Sequence, residues 1–182
     1  MVVVSYTVLR VDTELLNERS RPGEGTKKWD KLLLGLSFLI MIIMFITAWL
    51  DSGRYHWSPD LHWSLYIPGI ILTIVGQLLF LIAQKQNIFF SSTLRIQTER
   101  GHTVCETGLY KVVRHPAYLG NIIQSLGFPI LFGSLWCFIP VSINILLSLI
   151  RTYSEDRTLI NELNCYREYT YKTRYKIIPY VC

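Results

Sequence analysis

The sequence predicts an all-α, multipass integral membrane protein with about four transmembrane helices, the last two forming a helical hairpin. Three observations predict it. Of 182 residues, 51% are hydrophobic and only 17% charged, with a mean hydropathy of +0.30, whereas a soluble domain is about 25% charged. The charge is segregated, so that Lys- and Arg-rich segments alternate with long uncharged runs. Those runs have the length of a bilayer crossing. The composition excludes a disordered or collagen-like chain. The segregation also turns the net charge of +5 away from nucleic acid and toward membrane topology.

The chain reads as a single domain, 1–182, in five parts. Residues 1–31 form an N-terminal segment rich in Arg and Lys. Its apolar stretch 2–9 is too short to span and lacks the basic start of a signal peptide. Residues 21–25, Arg-Pro-Gly-Glu-Gly, form a turn-rich connector. Residues 32–83 hold two membrane helices. Residues 32–50 carry no charge and as a helix measure roughly 28 Å at about 1.5 Å per residue, and Trp29 and Trp49 bracket them as interfacial aromatics do. The second uncharged run is 61–84, most apolar over 65–83. Residues 84–116 form a polar loop. The uncharged run 115–150 is too long for one crossing and is interrupted by Gly127, Pro129, Gly133 and Pro140. It reads as a hairpin within 117–150, 118–132 and 135–150 about a turn at Gly133-Ser134, with a re-entrant hairpin as the alternative. Residues 151–182 form a tail.

Arg54 is the one basic residue between the first two runs, while the N-terminal segment, the 84–116 loop and the tail hold the rest. The positive-inside rule places those three segments, and both termini, in the cytoplasm. His56 and His62 then belong to an outer loop. Cys105, Cys137, Cys165 and Cys182 show no CxxC spacing, and no zinc or other metal motif is present. Cys182 is the last residue and so is no prenylation box. There is no phosphate-binding glycine loop, GxSxG or HExxH.

The chemistry therefore falls to the two polar segments. The first, 101–120, holds two His, an Arg and two Tyr beside a membrane helix. Arg114-His115-Pro116 sits where that helix enters the bilayer. Pro116 suits the first helical turn, whose N–H groups and dipole favour an anion. A basic anchor with interfacial tyrosines is the bland alternative. In the second segment, Arg151 and Glu155 are four apart on one helix face at the bilayer boundary, where ionisable groups tend to be functional. A surface ion pair of about 0–1 kcal/mol is the bland alternative there.

Together, His102-Thr103-Val104-Cys105, Gly108-x-Tyr110, Arg114-His115-Pro116-x-Tyr118-x-Gly120 and Arg151-x-x-x-Glu155 resemble the isoprenylcysteine carboxyl methyltransferase family, which belongs with the membrane phospholipid methyltransferases. The Phe89–Gln97 stretch and the Tyr166-to-Pro179 ending are similar to bacterial members. The resemblance runs from about Glu18 to the end. It implies an all-α membrane enzyme that uses S-adenosylmethionine, in a bacterial inner membrane or the endoplasmic reticulum, with the bilayer and a lipid-linked acceptor as partners and neither nucleic acid nor metal. It implies a cofactor pocket of His102, Thr103, Val104, Cys105, Tyr110, His115, Pro116, Ala117, Tyr118 and Glu155. It implies substrate binding by Arg151, with Arg151, Glu155 and Arg114 as the catalytic set.

Two departures stand out. The family's Glu-Glu pair is Glu155-Asp156 here, and the shorter second acid is expected to matter little if the first carries the contact. Relatives often carry further N-terminal membrane helices where this sequence has only 2–9, so the form is reduced or its start lies outside the sequence. The charges suggest a mechanism dominated by positioning. A carboxylate acceptor is already anionic at neutral pH, and Arg151 would orient it. A phospholipid amine or small thiol would need a base, for which His102, His115 and Asp156 are the candidates. Two rival readings are a sterol-reductase-like, NADPH-dependent membrane reductase and a non-catalytic scaffold of the same fold.

Overall fold

The computed structural model describes residues 26–181, so the 2–9 stretch, the 21–25 connector and Cys182 lie outside the described residues. All regular structure among the described residues is helical. The principal helices are α1 (Lys28–Leu50), α2 (Tyr66–Gln86), α3 (Pro116–Leu131), α4 (Phe138–Glu162) and α5 (Tyr166–Lys172). Three stretches are long and apolar enough to cross a membrane: Lys28–Tyr55, Trp63–Gln86 and Leu135–Glu162. They present exposed large apolar side chains in quantity, among them Leu39, Ile43 and Ile46 of α1, Ile67, Ile71 and Ile74 of α2, and Ile139, Ile143 and Leu146 of α4. Apolar surface on that scale belongs in lipid, and the chain is an integral membrane protein. The fourth helix, α3, has 16 residues, roughly 24 Å at about 1.5 Å per residue, and is not among the three.

The hairpin forms within two residues of its expected bounds on the α3 side. Of the four residues expected to interrupt it, only Gly133 does so, turning the chain at φ +61°. Pro140 lies in the first turn of α4, where its missing N–H costs nothing, and Gly127 and Pro129 lie inside α3. Gly127 is there to let α2 approach. A Cβ on Gly120 would stand 2.7 Å from both the Gly76 carbonyl oxygen and the Phe80 nitrogen, and one on Gly127 would stand 2.8 Å from the Gly69 carbonyl. Small residues at such a seam let helix backbones approach closely and gain van der Waals contact where lipid supplies no hydrophobic drive.

The α4 helix does not end with the apolar run. It continues through 25 residues to Glu162, so one rod carries both lipid-facing Ile143 and the acids Glu155 and Asp156. The two ends of the bundle are tied differently. At the Gly133 end, fully buried Asp51 accepts from the Ser58 N–H (2.7 Å), the Ser58 hydroxyl (2.6 Å) and the Ser134 hydroxyl, which joins the end of α1 to the hairpin turn. Tyr55, Trp57 and Trp136 cluster beside it as an interfacial aromatic group. At the opposite, polar end, Leu94, Leu159, Leu163, Tyr166 and Tyr169 form a core that fixes the 87–105 segment against α4 and α5.

Candidate active site

A cavity of about 470 Å³ opens at the polar end, within the size range of small-molecule sites. Its walls come from the end of α2 (Phe80, Gln84), the 87–95 and 102–105 segments, the start of α3 (Ala117, Tyr118, Asn121) and the polar half of α4 (Arg151, Glu155, Leu159). Of the residues expected at a site, His102, Thr103, Val104, Cys105, Tyr110, Arg114, His115, Ala117, Tyr118, Arg151 and Glu155 all line it. Pro116 does not. It is the buried first residue of α3 and sets the start of the helix.

The 102–105 wall is aimed by a turn at Gly101 (φ +62°) and by fully buried Gln97. The Gln97 side chain donates to the Phe89 carbonyl (2.9 Å) and accepts from Arg100 (2.7 Å), while its backbone N–H donates to His102 Nδ1 (3.3 Å). The His102 ring stacks on Phe89 at 4.6 Å. Burial, and then the nearby Arg100 charge, hold the His102 imidazole below its ordinary pKa, so it is neutral near pH 7 with its proton on Nε2. The peptide N–H groups of Thr103, Val104 and Cys105 have no acceptor among the described residues. Tyr110 donates to the Ala83 carbonyl (3.3 Å) and its own carbonyl accepts from Tyr169 (2.6 Å). Burial raises both phenols well above their ordinary values, so both stay neutral donors.

The charged residues form two groups. In the first, Asp156 is the hub. Arg114 Nε and Nη2 donate to its two oxygens at 2.9 Å each, His115 Nε2 stands 3.3 Å away, the Tyr166 hydroxyl donates at 3.0 Å, and Lys176 Nζ stands at 3.7 Å. Arg114 Nη1 donates to the carbonyls of Thr173 (2.9 Å) and Arg174 (3.0 Å). The Arg114 guanidinium thus clamps α4 to the 173–176 tail. In this arrangement it is an anchor, with Nε, Nη1 and Nη2 all engaged by protein oxygens. The shorter second acid has a role of its own in this geometry: Asp156 fixes Arg114, His115 and the tail at once. Burial and then the Asp156 charge keep the Tyr166 phenol protonated.

The second group holds Glu155 and Arg151, which share a face as the spacing predicts but do not bond each other. Glu155 Oε2 accepts from the Tyr118 hydroxyl at 2.6 Å, and its Oε1 stands 3.9 Å from His115 Nδ1. Arg151 turns to α1. Its Nε donates to Asp30 Oδ1 at 2.6 Å, its Nη2 donates to Asp30 Oδ2 at 3.3 Å and to the Ser92 carbonyl at 2.9 Å, and its Cζ lies 5.5 Å from the Tyr118 ring centre. The planar fork of Arg151 is therefore occupied by Asp30, and Nη1 remains as its open edge.

The sequence reading missed Asp30, Gln97 and Asn121. Asp30 left a signal, an acid among Lys27, Lys28 and Lys31 at the mouth of an apolar span, where an ionisable group calls for a partner. Gln97 and Asn121 left none that a single sequence displays.

Comparison with known proteins bears on this region. Residues 69–161 match the family model described as the isoprenylcysteine carboxyl methyltransferase family. That stretch begins in α2, contains the whole polar loop and ends at the tip of α4, so it takes in most of the cavity wall. The chain is 30% identical over 110 residues to protein-S-isoprenylcysteine O-methyltransferase A of Arabidopsis thaliana, covering 58% of this chain and 54% of that one. It is 29% identical over the same length to protein B of that plant, with the same coverage. It is 30% identical over 95 residues to protein-S-isoprenylcysteine O-methyltransferase of Saccharomyces cerevisiae, covering 52% and 38%. The chain thus spans about half the length, or less, of these curated relatives. The matched stretch 69–161 carries the motifs and most of the cavity wall and covers half of this sequence: the chain belongs to the isoprenylcysteine carboxyl methyltransferase family.

Proposed function

We propose that the chain is an S-adenosylmethionine-dependent membrane methyltransferase whose acceptor is a lipid-linked carboxylate of the isoprenylcysteine type. The cavity fits the cofactor by its donor set. Glu155 keeps Oε1 for the ammonium group, a charge-assisted bond. The N–H groups of Thr103, Val104 and Cys105 suit the carboxylate or the adenine edge, and Phe89, His102 and Tyr110 supply flat apolar surface. When bound, S-adenosylmethionine supplies a methyl group on a sulfonium, and transfer to a carboxylate oxygen breaks the carbon–sulfur bond with its electron pair left on sulfur.

One observation carries the choice of acceptor. The three groups that could take a proton are already engaged: His102 Nδ1 accepts the Gln97 N–H, and His115 Nε2 stands 3.3 Å from Asp156 Oδ1. Asp156 is itself saturated. With His102, His115 and Asp156 engaged and Glu155 assigned to the cofactor, the site favours an acceptor that arrives as an anion. Arg151 orients that anion, and the bilayer delivers its hydrocarbon chain from the side.

In this reading α3 is a short fourth crossing, the polar end of the bundle faces the cytoplasm with both termini, and 1–182 works as one methyltransferase domain. Labelling of engineered cysteines from outside intact cells should reach a site near Tyr55 and spare one near Lys172, and the reverse pattern would invert the topology. The activity is tested by incubating purified protein with radiolabelled methyl donor and a panel comprising a prenylated cysteine, a phosphatidylethanolamine and a small thiol. Label in the carboxyl methyl ester alone is the expected result, and label in the amine or thiol would replace the acceptor. Calorimetry should detect S-adenosylhomocysteine and not NADPH, and the opposite preference would make the protein a reductase.

A further inference from the structure

We infer that Asp30, in the first turn of α1, is a positioning residue that decides which edge of Arg151 the acceptor meets. The inference rests on the reading of Arg151 as the acceptor-binding group. Asp30 is fully buried, 121 positions from its partner in the chain. Its carboxylate does two jobs. It takes the Nε–Nη2 fork of Arg151, and Oδ2 accepts the Leu94 N–H at 2.7 Å. The backbone reinforces the arrangement, since the Lys27 N–H donates to the Leu94 carbonyl at 3.4 Å and Lys27 Nζ pairs with Glu162 at 2.7 Å. The first turn of α1 is thereby pinned both to the cavity wall and to the polar half of α4.

The consequence is chemical. An Arg with an open fork grips both oxygens of a carboxylate side by side. With the fork closed by Asp30, and Nη2 also held by Ser92, only Nη1 is left to the cavity. A carboxylate held through one oxygen keeps the other free to attack. Asp30 also offsets much of the Arg151 charge, which limits how tightly the acceptor is held before reaction, and binding the ground state less tightly favours turnover. Asp30 touches neither cofactor nor acceptor. It acts through Arg151.

Asp30→Asn retains an oxygen for the Leu94 N–H and removes the charge that holds the fork. We expect kcat for a prenylated, N-acetylated cysteine to fall by at least about tenfold, a barrier change of roughly 1.4 kcal/mol, with KM falling alongside as the freed fork grips the carboxylate, while S-adenosylhomocysteine affinity stays within about twofold. Arg151→Lys in the Asp30→Asn background should cost much less than in the native chain, because contacting residues in one network are not additive. Fully additive losses, or a matched fall in cofactor affinity, would mark Asp30 as merely structural and overturn the inference. A second measurement needs no variant. In native protein labelled with ¹⁵N-arginine, the same acceptor should shift the Arg151 Nη signals and leave Nε in place. A moving Nε signal means the fork opens to substrate, which also overturns it. If native protein methylates nothing in the panel, the function reading fails and this one with it. If native protein turns over and Asp30→Asn does so equally well, this inference alone fails.

Discussion

Along the α2–α3 seam, backbones meet at Gly69, Gly76, Gly120 and Gly127 without a single charge between them. At the polar end, three acids stand around the cavity and each holds ionic or hydrogen-bonded partners: Asp30 with Arg151, Glu155 with Tyr118, Asp156 with Arg114, His115 and Tyr166. The seam is held by shape and the site by charge. Shape tolerates loss of volume poorly but is indifferent to pH. Charge ties distant segments to stated atoms, and it fails when one partner is removed and the other is left buried. The adjacent acids Glu155 and Asp156 show the same contrast on a smaller scale, one partly open to the cavity and the other sealed behind it.

The largest effect is expected at the sealed acid. Asp156→Ala strands buried Arg114 beside His115 and should destabilise the protein by about 3–5 kcal/mol, the scale for breaking a buried pair. Thermal unfolding in detergent measures it, and a loss under about 1 kcal/mol would show that the hub is not what holds the tail. At the open acid, Glu155→Gln should leave the fold near native and weaken S-adenosylhomocysteine by roughly 1.5–3 kcal/mol, the range for hydrogen bonds to charged groups. Calorimetry that finds equal affinity in a folded variant removes Glu155 from the cofactor site. At the seam, Gly120→Ala puts its Cβ against Gly76 and Phe80 and should cost about 1–3 kcal/mol, as overpacking does. Its melting temperature should drop while cofactor affinity, measured well below melting, is kept. A selective loss of affinity would mean that the seam and the site are not separable.

The smallest effect is one of pH. His102 is held below its ordinary value by burial, so below about 6.5 the unfolded chain binds a proton that the folded chain refuses. Stability from this group is complete above that pH and falls as pH drops toward the lowered folded value. His102→Asn should flatten the melting-temperature profile between pH 7 and 5, and an unchanged slope would assign the acid sensitivity to other groups.

What the sequence disclosed follows the same division. Spans are local: 32–50 sits within α1, 65–83 falls in α2 but for its first residue, and the hairpin turn falls at Gly133, because apolar length and turn chemistry are written in consecutive residues. The cavity-lining stretches 102–105 and 115–118 were legible as short motifs for the same reason, with Pro116 set apart as a helix starter. The charge partners were not legible. Arg151 and Glu155 have the spacing of an ion pair, yet Arg151 bonds an acid 121 positions away and Glu155 a phenol 37 positions away. Helical spacing states which side chains share a face and is silent about what that face meets. Arg114 and Asp156, 42 apart, were each visible as charged residues, but their pairing depends on how α3 and α4 cross.

The uninterrupted length of α4 gives the molecule a built-in depth gauge. Twenty-five residues span roughly 37 Å at about 1.5 Å each, more than the hydrocarbon thickness of about 30 Å. Ile139 and Leu146 register one part of the rod against the acyl chains, and Arg151, Glu155 and Asp156 ride rigidly on the remainder. The height of these charged groups above the lipid is therefore set by where the bilayer ends. Membranes of different thickness, which tilt or shift such helices at a cost of fractions of a kcal/mol per ångström of mismatch, would raise or lower the mouth of the cavity relative to the lipid surface. The lipid around the protein thus sets the position of the cavity as well as housing the helices.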